Sequence, residues 1–155
     1  MRRTVVVLCG LWAGLVFPTM AQASDASLVH ALAPYKNALT GDLIFMAELV
    51  NPPTKSTASS TATRLSHIQA DMAGAARAAR GQKPSTAAGR KAQSQVLTGL
   101  ADAYGGAGDA LAAVAAVRAG HTSAADADIA RSRTEVGKSL AYFQESSQLL
   151  GLFED

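Results

Sequence analysis

The side chains that could do chemistry beyond packing are three histidines, His30, His67 and His121, two methionines at helical spacing, Met46 and Met72, and carboxylates within two turns of a histidine, Asp71, Asp126 and Asp128. Imidazole with thioether is a haem or copper pairing, and imidazole with carboxylate suits a divalent cation. The spacing does not assemble either. His30 and His121 are expected at opposite ends of the fold. His67 with Asp71 one turn on reads as a solvated pair on a helix surface. Asp126 and Asp128 suit the positive N-terminus of a helix without any metal, and methionines on an apolar stripe read as core. No metal site and no cofactor is therefore assigned.

Nucleophilic and hydrolytic patterns are also missing: there is no His-Glu-x-x-His, no Gly-x-Ser-x-Gly, and the single cysteine, Cys9, lies in an N-terminal apolar run. The sequence points away from an enzyme. Ala141-Tyr142-Phe143-Gln144 is similar to the haem-ligand region in the last helix of the b-type periplasmic cytochrome bundles. Phe143 stands where that family carries its axial histidine, and no Cys-x-x-Cys-His follows, so no family is assigned.

The elements that would hold these residues begin after a leader-like segment. Arg2-Arg3 precede an apolar run from Val5 to Phe17, then Pro18 and Ala21-Gln22-Ala23. That succession, with a run short of the roughly 20 residues a spanning helix needs, predicts a cleavable signal peptide over 1–23 and a mature chain of one domain over 24–155, periplasmic or secreted. Removing 23 of 155 residues leaves 132, without Cys9, Trp12, Arg2 or Arg3, and brings the formal charge from +2 to neutral. Stability must then come from packing rather than disulfides, and the overall charge balance suggests neither a nucleic-acid nor a polybasic membrane function.

About one residue in five is alanine, and β-branched runs are almost absent beyond residue 24, so strands are not expected. Apolar positions recur at three- and four-residue steps in four segments: Leu28, Leu32, Tyr35, Leu39, Leu43, Met46, Val50; Leu65, Ile68, Met72, Ala75, Ala79; Val96, Leu100, Ala103, Ala107, Leu111, Val114; and Ile129, Val136, Leu140, Phe143, Ser147, Leu150. Each is one helix face. Asn51-Pro52-Pro53, Gly81 with Pro84, and Gly120 separate them as breakers or left-handed caps. The expected helices are 26–50, 58–80, 86–119 and 123–150, an all-α fold arranged as an antiparallel up-down-up-down four-helix bundle. Ser85 or Thr86 should cap the third helix, Ser123 with Asp126 the fourth, and Gly151 should end it. Thr54 to Thr63 reads as a loop or frayed turn. Pro34 either starts or kinks the first helix.

Two features depart from simple packing. Gly105, Gly106 and Gly108 sit mid-helix, where three glycines together cost about 3 kcal/mol relative to alanine. They mark a kink, a close helix contact, or a pocket. Arg77, Arg80, Lys83, Arg90 and Lys91 bracket the second turn, and from Lys55 to Lys91 seven basic residues face one acid, leaving the rest of the mature chain at −6. Arg77 and Arg80 suit a helix C-terminus, whereas Arg90 and Lys91 stand where the dipole disfavours them. The expected function is an exported, non-enzymatic bundle that binds or scaffolds another cell-envelope component, with this basic end as the candidate surface for an anionic envelope component or protein. The alternative is a bundle holding haem or a metal between its helices.

Overall fold

The computed structural model describes residues 23–150, with side chains from residue 25 onward. Every regular element within them is helical: α1 (Ala23–Leu32), a 3-10 turn (Ala33–Tyr35), α2 (Lys36–Glu48), α3 (Ala58–Arg80), α4 (Ala87–Ala119) and α5 (Thr122–Leu149). The α1 and α2 segments follow one another through the 3-10 turn and count as one helix, so the fold is all-α with four helices and, among the described residues, no strand. The expected leader over 1–23 and the Gly151 cap lie outside the described side chains. No described helix is long and apolar enough to cross a membrane.

Local chemistry explains the boundaries. Pro34 cannot donate to the ladder, and the helix tightens to a 3-10 turn around it before resuming at Lys36. The α2 segment ends at Glu48, ahead of Pro52-Pro53, so Val50 is not helical as expected but exposed. Thr54 and Thr57 exchange side-chain and backbone bonds (Thr54 N–H to Thr57 Oγ1, 3.0 Å; Thr57 N–H to Thr54 Oγ1, 3.3 Å) and organise the turn that leads into α3. Of the two readings of Gly81 with Pro84, left-handed cap or breaker, the first does not hold: α3 ends at Arg80, and Gly81 has a φ of −67°, within reach of any residue. Gly120 does take φ 81°, with Gly120 N–H bonded to the Val117 carbonyl and His121 N–H to that of Ala116. This reversal is so tight that α5 begins at Thr122, leaving Ser123 inside the helix and no side-chain cap at His121. The expected Ser123 cap is thereby displaced.

The four stripes form the core, with Leu28, Leu43, Leu65, Ile68, Met72 and Leu100 among its fully enclosed side chains. Between α4 and α5 the seam is made of small residues at seven-residue steps: Ala92, Gly99, Gly106 and Ala113 against Ala125, Ser132, Ser139 and Ser146, all buried. Small side chains there let the backbones approach closely. A Cβ built on Gly99 would stand 3.2 Å from the Ser139 carbonyl oxygen, and one on Gly106 3.1 Å from that of Ser132. Glycine is needed at both because a neighbouring backbone occupies the space. The α4 helix runs unbroken through Gly105–Gly108.

Contacts fix the register of the other pairs. Tyr35 packs on Gly74 and Asp42 meets Arg64, while Gln69 Nε2 donates to the Tyr104 carbonyl at 3.4 Å and Gln93 Nε2 to that of Ala79 at 2.7 Å. At the start of α1, the buried Asp25 carboxylate accepts a hydrogen bond from Thr86 Oγ1, which in turn accepts from Gly89 N–H at 2.9 Å as the cap of α4. An added Cβ on Gly89 would run into that carboxylate.

Candidate functional site

The turn between α3 and α4 brings the five basic residues to one end of the helix pair. Arg77 and Arg80 occupy the last turn of α3, Lys83 the connection, and Arg90 and Lys91 the first turns of α4. All five are exposed, and none forms an ion pair among the described residues. Arg90 Nη1 donates to the Ser85 carbonyl at 2.5 Å, so its head folds back on the helix entry. Arg77 and Arg80 differ from the other three in what they border. They edge a groove between α3 and α4 of about 340 Å³, lined by Met72, Ala73 and Ala76 of α3 and Leu97, Leu100, Ala101 and Tyr104 of α4.

The groove exists because two secondary stripes meet. Leu97, Ala101 and Tyr104 follow an i, i+4, i+7 course beside the main stripe of α4, and Ala73, Ala76, Arg77 and Arg80 do the same on α3. Met72 and Leu100, buried at 0% and 1% exposure, make its floor, and Tyr104, 46% exposed, stands at its wall. Among the described residues, no acid lines it. The combination is an apolar trough with two cations on one edge.

The glycine cluster lies beyond this groove. Gly106 faces Ser132, Met46 and Glu135 in the α4–α5 contact, Gly108 faces Gln69, and Gly105 has nothing within 4 Å. His30, His67 and His121 are all exposed on different elements, whereas Met46 and Met72 are enclosed in the core, so the imidazole of His67 does not share their surroundings. Among the described residues no group of three or more His, Cys, Asp or Glu side chains is placed to hold a metal ion.

One charged cluster was not evident from spacing. Asp42, with no exposure, lies with its Oδ1 at 2.6 Å from Arg64 Nη2, and Arg64 also stands over the Phe45 ring, 5.9 Å from its centroid. Burial pushes the Asp42 carboxyl up to about 6, the Arg64 guanidinium opposes that rise, and the carboxylate of Asp71 adds to it. Asp42 Oδ2 has no hydrogen-bond partner among the described groups. A second set spans α4 and α5: Arg131 pairs with Asp128 and approaches Asp109 at 3.5 Å, and Lys138 bonds Glu135 at 2.9 Å. Burial and the Glu135 charge raise the neighbouring Asp102 carboxyl.

Comparison with known proteins finds no matching family model, no matching curated protein and no matching solved structure.

Proposed function

We propose that this chain is an exported, non-enzymatic helical module whose basic end binds an anionic component of the cell envelope. Residues 1–23 act as the cleavable signal peptide, and 24–155 form one domain. The domain is an antiparallel up-down-up-down four-helix bundle. The register supports this arrangement: positions 99, 106 and 109 of α4 meet 139, 132 and 131 of α5, and 79 and 69 of α3 meet 93 and 104 of α4, so partners descend as positions rise.

The observation that carries the binding role is that Arg77, Arg80, Lys83, Arg90 and Lys91 converge on one end without an acid paired to any of them among the described residues. Elsewhere in the fold, Arg64, Arg131 and Lys138 each have a carboxylate, while Lys36, Lys55, Arg118 and Arg133, which form no ion pair among the described residues, are scattered along the chain rather than gathered at one turn. Cations left unpaired and close together repel one another, and an anion relieves that repulsion.

Two measurements test the reading. The intact mass of the purified native protein should correspond to a chain starting at Ser24, and a mass that retains residues 1–23 overturns the export assignment. Vesicles of phosphatidylglycerol and phosphatidylcholine should retain the protein at low salt and release it as salt rises, since exposed charges are screened over about 8 Å at physiological ionic strength. Reversal of all five basic residues to glutamate should abolish retention with helicity unchanged. Equal retention of the reversed variant overturns the binding role.

A further inference from the structure

We infer that the α3–α4 groove is a binding site for a single-chain amphiphile with one anionic head, held head-first by Arg77 and Arg80. The inference rests on the reading of the basic end as an anion-binding surface and narrows it to a ligand class. Arg77 and Arg80 are three residues apart on one helix face, so two guanidinium forks can reach one carboxylate or phosphate. Both border the groove, whereas Lys83, Arg90 and Lys91 do not. A polyanion would spread over all five cations; a ligand in the groove uses two.

The remainder of the trough specifies the other half of the molecule. Leu97, Ala101 and Tyr104 offer an apolar wall, Met72 and Leu100 a close-packed floor, and among the described residues the lining includes no carboxylate. A volume of about 340 Å³ lies at the lower end of small-molecule sites, which suits a slender chain rather than a fused-ring body. Arg77 and Arg80 stand in the last turn of α3, where the helix presents its negative pole. The backbone there gives an anion no help, so the attraction comes from the two side chains alone.

Calorimetric titration of the purified native protein with dodecanoate, dodecyl maltoside and inorganic phosphate, each below any micelle-forming concentration, tests this. Dodecanoate should bind one-to-one, at least about tenfold tighter than the neutral amphiphile or phosphate. Arg77→Gln with Arg80→Gln should weaken dodecanoate by about tenfold or more, Leu97→Gln should also weaken it, and Arg118→Gln, in the last turn of α4 at the far end of the helix, should change it less than about twofold. Circular dichroism of each variant separates lost binding from lost folding. Equal affinity for dodecyl maltoside overturns the role of the head, and equal affinity for phosphate overturns that of the groove. If dodecanoate does not bind while vesicle retention still depends on the five basic residues, the inference fails and the broader function stands. If neither binds, both fail.

Discussion

Asp42 of α2 and Arg64 of α3 form an unequal ion pair: the carboxylate is wholly buried, while the guanidinium 2.6 Å away keeps 45% of its side chain in solvent. The acid bears the desolvation and the base does not. This is why the Asp42 carboxyl lies at about 6 despite a cation in contact with it, with the nearby Asp71 carboxylate adding to the rise.

A stability profile against pH follows. An acid whose folded value lies above its ordinary 3.8 binds more protons folded than unfolded, so its contribution favours the fold below about 3.8 and is lost as pH climbs through about 6. The groups acting on it, Arg64 and Asp71, are both on α3. Thermal melts should therefore show Tm falling between pH 4.5 and 7. In Asp42→Asn that fall should shrink. An unchanged slope in the variant would mean that another group titrates there.

Phe143 is 4% exposed, on the inner stripe of α5, with its ring close over Gly99. Phe143→Ala removes a buried aromatic that the fixed α4–α5 seam cannot collapse around, and should cost about 3–5 kcal/mol in denaturant unfolding. A loss well under that would place the ring in a yielding environment.

The features legible in the sequence are those that depend on one helix at a time. Stripes, breaks and the Thr86 and Gly120 caps all follow local periodicity and turn chemistry, and the helix over 58–80 is observed with those limits. What escaped depends on two helices meeting. Asp42 lies one turn beyond Leu39 and beside Leu43, so an acid on a core stripe was there to be noticed, but its partners are supplied by α3. Leu97 and Tyr104 look like surface apolar residues until α3 runs alongside. Ser132, Ser139 and Ser146 interrupt the apolar pattern of α5, and only their strict seven-residue spacing reveals them as a packed edge.

Within that edge the hydroxyls differ. Ser146 Oγ donates to the Phe143 carbonyl at 2.9 Å, whereas Ser139 Oγ, fully buried, has no partner among the described groups. An unpartnered buried hydroxyl costs about 1–3 kcal/mol. Ser139→Ala removes it at almost constant volume, so unfolding should show a more stable protein by about 1 kcal/mol, with Ser146→Ala neutral or destabilising. A destabilised Ser139→Ala would show that the hydroxyl is satisfied in solution.

The adjacent glycines of α4 give a paired test of the seam, because Gly105 and Gly106 share one helical backbone and differ in what lies outside it. Alanine at either position gains about 1 kcal/mol of helix propensity. At Gly105 nothing stands within 4 Å, and that gain should appear almost whole. At Gly106 the new methyl meets the Ser132 carbonyl oxygen at 3.1 Å, Met46 Cε at 3.2 Å and Glu135 Cβ at 3.3 Å. Met46 can swing aside, but the Ser132 carbonyl belongs to a helix held along its length by the small-residue seam. Relief there requires α4 and α5 to separate, an overpacking of about 1–3 kcal/mol. Gly105→Ala should therefore raise stability by about 1 kcal/mol and Gly106→Ala lower it, so that chemical denaturation separates two variants one residue apart by more than the error of the measurement. Equal stabilisation of both would show that α5 does not approach α4 as closely as the Ser132 contact indicates, and would remove the basis for glycine at that position.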